Sequence, residues 1–383
     1  IADVAEIVSG GTPKSGIVGY WDGDVPWVTP KDLSDLRGSY ISASPRTISQ
    51  DGLRESSASL LPANSVLFSS RAPIGHVAIN TVPMATNQGF KSFVPAVDQL
   101  ESKYLYHWLK ANRRLLEGLG NGATFKEVSK SVVSKVQIPL PPLPEQRRIA
   151  AILDHADTLR AKRRETIARL DELSAAIFID MFADTEPGWN EVTIADLALP
   201  AKGSIRTGPF GSQLLHEEFT SEGVAVLGID NAVKNRFEWA KPRFITPAKY
   251  EQLKRYKVFA GDVLVTIMGT NGRCAVVPDN VPEAINTKHL CCITPDTTKV
   301  TSEFLHSYFL RHPQAQSYLQ RTAKGAIMSG LNMGIIKSMP VVLPPLGLQE
   351  RYGTVVSQVG RRRADLDTSL ARLDSLFSSL QSR

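Results

Sequence analysis

The sequence predicts an α+β protein: two pseudo-symmetric globular α/β domains joined by two long helices that form an antiparallel coiled coil. Three observations carry this. One segment recurs almost whole at a long offset. The first copy runs into a stretch free of Pro and Gly, and the second into one with the same heptad register. The regions before the copies alternate short strand-like runs with turn clusters and close on one late helix. The predicted order is a first head over 1–140, a first helix over 141–185, a second head over 186–343 and a second helix over 344–383.

The recurrence is the strongest of the three. Pro141-Pro-Leu-Pro-Glu-Gln-Arg-Arg148 leads to Ala168-Arg-Leu-Asp-Glu-Leu173, and Pro344-Pro-Leu-Gly-Leu-Gln-Glu-Arg351 leads to Ala371-Arg-Leu-Asp-Ser-Leu376, at an offset of 203 residues without a gap. A period that long marks a duplicated half-molecule, not a solenoid. Upstream, Ile1-Ala-Asp-Val-Ala5 answers Ile194-Ala-Asp-Leu-Ala198, Pro62-Ala-Asn-Ser-Val-Leu67 answers Phe259-Ala-Gly-Asp-Val-Leu264, Ser102-Lys-Tyr-Leu105 answers Ser302-Glu-Phe-Leu305, and Gly122-Ala123 answers Gly325-Ala326. Small insertions make the offset drift. Gly11-Thr-Pro-Lys-Ser15 and Trp21-Asp-Gly-Asp-Val-Pro-Trp27 have no clear counterpart in the second copy. A shared frame with private loops suits two heads that read different targets.

In the first head, Val25–Val28, Ser65–Ser69 and His76–Ile79 read as strands and 102–116 as the late helix. In the second, Val224–Leu227 and Asp262–Ile267 read as strands and 302–310 as the helix. The chain starts at Ile1, and the first copy is expected to lack the residues corresponding to Gly188–Val192. After Pro144 no Pro or Gly occurs to Ala183, and proline belongs at a helix start. A heptad with a at Ile149, Ala156, Arg163, Leu170 and Ile177, and d at Ile152, Leu159, Thr166, Leu173 and Asp180, reads as a coiled-coil seam. The second copy places Tyr352, Val359, Leu366, Leu373 and Leu380 at a, and Val355, Arg362, Ser369, Leu376 and Arg383 at d. Helices of about 35 residues span roughly 50 Å. Antiparallel pairing of the two is expected; the alternative is that each packs on its own domain. Arg160-Ala-Lys-Arg-Arg164 and Arg361-Arg-Arg363 sit at equivalent positions. A solvated face beside Asp157, Glu165, Asp365 and Asp367 is the simpler reading, and phosphate contact the other.

Composition narrows the class. The 383 residues are 42% hydrophobic, so each head can bury a core. The net charge of +6 and pI of about 9.1 favour an anionic partner moderately. No run of about eighteen apolar residues occurs, so no membrane span is expected. Cys274, Cys291 and Cys292 make no disulfide framework, which points to a reducing cytoplasm.

Several loops carry the residue types that read base edges, since Arg binds guanine in a bidentate fashion and Asn or Gln binds adenine. They are Lys14, Ser15, Lys31, Arg71, His76, Asn87, Gln88 and Lys91 in the first head, and Arg206, Gln213, Lys234, Asn235, Asn271, Arg273, Lys288 and His289 in the second. The plain alternative for each is a turn cap or a solvated side chain. Trp27 and Trp239 are expected in the core. The glycines of Glu117–Thr124 and Gly325 mark a loop, either an ordinary connection or, with Lys126 and Lys324, a contact to a DNA backbone. No Gly-Lys-Ser/Thr phosphate loop, zinc-ligand spacing or nucleophile elbow is present. Nor is there an Asn/Asp-Pro-Pro-aromatic methyltransferase motif. Pro278-Asp279 with Glu283-Ala-Ile285 lacks the lysine of a nuclease signature. The chain reads as a reader and scaffold.

The repeated Pro-Pro-Leu-Pro-Glu-Gln-Arg-Arg-Ile149 before a long helix resembles the conserved regions of type I restriction–modification specificity subunits. Gly10-Gly-Thr-Pro13 and Tyr20–Trp27 resemble the opening of one of their target recognition domains, and Pro209-Phe-Gly-Ser212 that of another type. Gly347-Leu348 departs from the pattern of Pro144-Glu145. The resemblance implies two domains that bind the halves of a split, asymmetric double-stranded DNA site, with the helices as a ruler for the spacer. It also implies docking of two modification (methyltransferase) subunits that carry S-adenosylmethionine, with two restriction subunits able to join. The specificity subunit itself is expected to bind no cofactor and no metal and to be non-catalytic. The competing readings are a scaffold without sequence reading and the recognition arm of a modification-only system.

Overall fold

The computed structural model describes residues 1–71, 73–122, 126–184, 186–239, 241–324 and 330–382. The expected echo of Gly122-Ala123 in Gly325-Ala326 falls outside them at Ala123, Gly325 and Ala326. So do Thr124, Arg383 and the side chains of Lys324 and Leu380. The chain divides into two compact units, one of Ile1–Arg164 with Thr368–Arg383 and one of Glu165–Asp367. The division crosses both long helices, which run over Leu143–Phe182 and Leu346–Ser382.

In the first unit a five-stranded sheet has the order Ala5–Ser9, Lys91–Pro95, Val66–Phe68, Val77–Asn80, Tyr40–Ile41. A three-stranded sheet has the order Thr47–Ile48, Trp21–Val28, Ala85–Thr86. Trp21–Val28 kinks between Trp21 and Val25, where Asp22 takes a left-handed φ of 57°, then pairs parallel with Ala85–Thr86. The late helix is Ser102–Ala111 followed by Arg113–Gly118, and Leu105 and Leu109 are buried in the core with Val66, Phe68 and Phe93.

The second unit repeats this frame. Ile205–Thr207, Leu290–Ile293, Val263–Thr266 and Cys274–Val276 follow one another in a sheet as their counterparts do in the first unit. Phe244–Ile245, Val224–Leu227, Ala284–Asn286 and Lys257–Val258 form the second sheet, and Val224–Leu227 again pairs parallel with the strand before a turn. Val224–Leu227 is thus the counterpart of Val25–Val28, which sequence comparison alone left unmatched. The late helix is Ser302–Arg311, followed by Pro313–Lys324. The three cysteines are free and buried in this unit, and burial pushes the Cys291 thiol up to about 12. Among the described residues no helix is long and apolar enough to cross a membrane.

Within each unit the long helices pair antiparallel. In the first, Arg160 Nε lies 2.5 Å from Asp374 Oδ1, and its guanidinium stacks 4.3 Å from the Phe377 ring. In the second, Arg363 Nε meets Asp171 Oδ1 at 2.7 Å, while Phe182 meets Tyr352 at 5.3 Å. The seam differs from the expected heptad. Gln146, Ala150, Leu153, Ile167, Ser174 and Phe178 are buried, whereas Ile152, Leu159 and Leu173 of the expected d column, and Val355 and Leu376 of its second-copy equivalent, are exposed. The physical reason is that part of this column packs on the heads, Gln146 against Gln99 and Glu101 and Phe178 against Phe304, while places between the helices are taken by ion pairs such as Arg160 with Asp374 and Arg363 with Asp171. Arg160 and Arg363 are not on the solvated face expected of these clusters: both are largely buried in cross-helix pairs with Asp374 and Asp171, with Asp157 and Asp367 beside them, whereas Arg164 stays exposed.

Candidate nucleic-acid interface

In each unit several of the candidate residues lie on or beside one turn, and two of its backbone bonds recur. In the first unit Asn87 N donates to Val28 O at 2.9 Å and Phe90 N to Asn87 O at 3.2 Å. In the second, Thr287 N donates to Leu227 O at 2.8 Å and Leu290 N to Thr287 O at 3.1 Å. Gly10 N reaches Phe90 O, and Gly208 N reaches Thr287 O, each at 3.3 Å. A side chain at either glycine would run into the backbone carbonyl of Asn87 or Asn286, so only glycine permits the entering loop to lie this close.

A second loop adjoins each turn. Ser70 N donates to Gly89 O at 2.8 Å, and Ile267 N to His289 O at 3.0 Å. The loops Ser69–His76 and Thr266–Arg273 are equal in length. Gly75 and Gly272 adopt φ of 96° and 77°, and their N–H groups return to Ser69 O and Thr266 O, each at 2.9 Å. The Ser69 hydroxyl accepts from His76 N at 2.8 Å, and the Thr266 hydroxyl from Arg273 N at 3.0 Å. Each hydroxyl also donates to a carbonyl within its loop, that of Pro73 or Thr270. His76 and Arg273 therefore occupy the same place on the same backbone. Sequence reading did not find Ser69, Thr266, Gly75 or Gly272 as loop anchors. The available signal was the glycine eight residues after each Val-Leu pair at Leu67 and Leu264.

In the first unit Lys14, Ser15 and Lys31 are exposed beside this turn. Thr12 Oγ1 donates to Gln88 Oε1, and Gly11 N to Thr86 O at 2.9 Å, which brings the Lys14 loop to Gln88. Asn87 Oδ1 accepts from Gly89 N at 2.9 Å. Arg71 is half-buried, 3.8 Å from Glu127. Burial, then the Arg113 charge, lowers the His76 pKa, so the ring is neutral at pH 7. Lys91 is corrected to an interior residue, since its ammonium is buried 3.1 Å from Glu127 Oε1. Trp27 is in the core as expected, with Nε1 donating to Gly11 O at 2.9 Å. Arg46, which sequence reading missed, stacks 4.3 Å from the Trp21 ring and 4.7 Å from the Trp27 ring, close to the Lys14 loop.

In the second unit Lys288 and His289 lie on the turn and Asn271 and Arg273 on the adjoining loop, with Arg273 exposed. Gln213 accepts from the Tyr256 hydroxyl at 2.9 Å. Lys234 pairs with Glu238 at 2.7 Å, and Asn235, at a φ of 60°, accepts from Cys274 N at 3.4 Å next to Arg273. Burial, then Lys288 and Arg243, lowers the His289 pKa. Arg206 is corrected: it is 7% exposed, and its guanidinium binds Asp262 Oδ2 at 2.5 Å, Lys257 O, Gly203 O and the Thr294 hydroxyl, leaving no free edge for a base. Trp239 is also corrected, being 50% exposed beside Phe237 and flanked in sequence by Arg236 and Lys241.

The family described as "Type I restriction modification DNA specificity domain" matches residues 1–169 and again 188–371. The MjaIX type I restriction enzyme specificity subunit of Methanocaldococcus jannaschii is 38% identical over 193 residues, 50% of this chain and 44% of that protein. The chain thus spans under half the length of that relative. The EcoBI specificity subunit of Escherichia coli is 24% identical over 335 residues, 78% of this chain and 68% of its own. The crystal structure of a type I restriction–modification system S subunit from M. genitalium has the same fold, with a TM-score of 0.61 at 14% identity over 99% of this chain and 93% of that one.

Proposed function

The chain belongs to the type I restriction–modification DNA specificity family, and from that premise we propose that it is the DNA-reading subunit of such a complex. Each head reads one half of a split, asymmetric site. The observation that carries this is the turn-and-loop frame built twice with the same backbone bonds and different side chains. Arg71, His76, Asn87, Gln88, Lys31, Lys14 and Ser15 serve one half-site, with Arg46 beside them. Arg273, Asn271, Lys288, His289, Gln213, Lys234 and Asn235 serve the other. Different donors and acceptors on one frame read different bases from one docking pose.

The reading heads lie within 1–140 and 186–343, and the helices after Pro141 and Pro344 set the spacer and dock two methyltransferase subunits. Two restriction subunits complete the complex where the system cleaves. The methyl donor and the catalysis belong to the partners. Phosphate contacts make binding salt-dependent.

The test is to map methylated adenines in DNA from cells that express the chain with its modification subunit. A two-part motif with a fixed gap is expected. Arg71→Ala and Asn87→Ala should relax one half of it and Arg273→Ala the other, each by about 1–3 kcal/mol of discrimination. Equal loss in both halves from a single substitution would overturn the assignment of separate heads. Inserting one heptad after Leu159 should change the gap.

A further inference from the structure

The repeated motif contains one side chain used identically in both units. Gln146 and Gln349 are 1% and 0% exposed at the start of the long helices. Gln146 Oε1 accepts from Glu101 N at 2.9 Å, and its Nε2 donates to Gln99 O and Pro141 O, both at 2.9 Å. Gln349 Oε1 accepts from Thr301 N at 3.0 Å, and its Nε2 donates to Lys299 O at 3.1 Å and Pro344 O at 2.8 Å. Glu101 and Thr301 are the residues that cap the late helices Ser102–Ala111 and Ser302–Arg311. In each unit, then, one amide ties the head's late helix, the segment before that helix and the Pro-Pro entry of the long helix to a single point.

All three partners are backbone atoms, so no rotamer change of a partner can release them. The surrounding filler differs: Ile149 in one unit stands where Tyr352 stands in the other, and His107 where Ser307 stands. Burial alone would accept any side chain of that volume. The amide is the same in both copies although Ile149 and His107 are replaced in the second.

We propose that Gln146 and Gln349 are positioning residues that lock each head to its long helix and thereby restrict the gap between half-sites that the protein accepts. This rests on the two-half-site reading above. Adding one base pair to the gap moves a half-site by about 3.4 Å along the DNA axis and turns it by roughly a tenth of a turn. A head held by three short bonds to backbone cannot follow both displacements, whereas a head on a loosened joint can.

The experiment uses the full chain in its complex with the modification subunit, carrying Gln146→Met, Gln349→Met or both. Methionine keeps the length and loses every bond. Methylated adenines are mapped across a randomised library of gap lengths. Each single variant should leave both half-site sequences unchanged and raise methylation at gaps one base pair too long or too short by about tenfold, a change within reach of three buried hydrogen bonds. The double variant should broaden the gap further. A lower melting temperature with the gap as narrow as in the parent chain would overturn the proposal and assign the glutamines to stability alone. So would loss of the assembled complex in both single variants. The parent chain is mapped first. Absence of a two-part motif there would bring down the two-half-site reading itself, a result separate from a narrow gap in the variants.

Discussion

The two places where a long helix meets its head share a backbone and differ in chemistry. In the first unit the joint is polar. Asp154 binds Lys103 Nζ at 2.7 Å and His107 Nε2 at 2.8 Å, and His107 is buried with the Phe377 ring 6.5 Å away. In the second unit the joint is aromatic. Phe178 and Phe182 lie 5.5 and 5.3 Å from Tyr352, Phe304 packs 5.1 Å from Phe182, and the Tyr352 hydroxyl donates to Ser307, the counterpart of His107, at 2.7 Å. The difference teaches that the Gln146 and Gln349 bonds define the joint, while the space around them can be filled by ion pairs or by rings. Rings stabilise through buried area and hold at any pH. A half-buried carboxylate network is directional but depends on the protonation of its members.

The largest effect should separate the two joints. Phe178→Ala removes a ring that touches four other rings and should cost about 3–5 kcal/mol. Amide hydrogen exchange should show the loss in Glu165–Asp367, with smaller change in the first unit. A uniform rise across both units would show that they unfold as one, and the comparison would fail. Asp154→Ala should cost less, about 1–3 kcal/mol, because Asp154 is partly solvated although His107 is left buried without its acceptor. Its exchange signature should be confined to the first joint.

Acid sharpens the comparison further. Burial, only partly opposed by Asp154, holds His107 below its ordinary 6.5. As the pH falls through 6.5 the unfolded chain takes up a proton that the folded joint does not, so stability drops until the lower folded value is passed. The Asp154 carboxyl is held below 3.8 because hydrogen bonds from Lys103 and His107, with their charges, outweigh the burial that opposes them. Its contribution is complete above 3.8 and is lost as the pH falls through the folded value. Stability followed by calorimetry should therefore fall in two windows, and Asp154→Asn should narrow the lower one without removing it, since Asp196, Glu218, Glu238, Glu283 and Asp296 of the second unit are also held low. His306 and His312 of the second unit are also held low by burial, so the upper window should survive His107→Gln in part. The smallest effect on folding should come from Trp239→Ala. This exposed ring should change stability by less than about 0.5 kcal/mol, and a fall in melting temperature of more than a few degrees would show that it packs as core after all.

Much of the fold was legible because its signals are local. A run without Pro or Gly after Pro144, short strand-like runs between turns and a repeated motif need no knowledge of distant contacts. The candidate site was legible in part. Asn87, Gln88, Lys288 and His289 lie on the turn, and Arg71, His76 and Arg273 on the adjoining loop, because turn residues announce themselves. Arg206 and Lys91 were misread because their partners, Asp262 and Glu127, are 56 and 36 residues away. Arg46 gave no signal, since its two tryptophans come beneath it only through strand pairing.

By itself the sequence determined the duplication, the two α/β heads, the long helices and the family to which they point. Each of these is written in spacing along the chain, and spacing survives without coordinates. Only the tertiary structure decided which charges face outward and which are consumed inside, which column of each helix forms the seam, and why a glutamine recurs in the motif. Those are questions of partners. A buried polar atom must find one in the folded chain, and the chain finds it across sequence distances that no local pattern records.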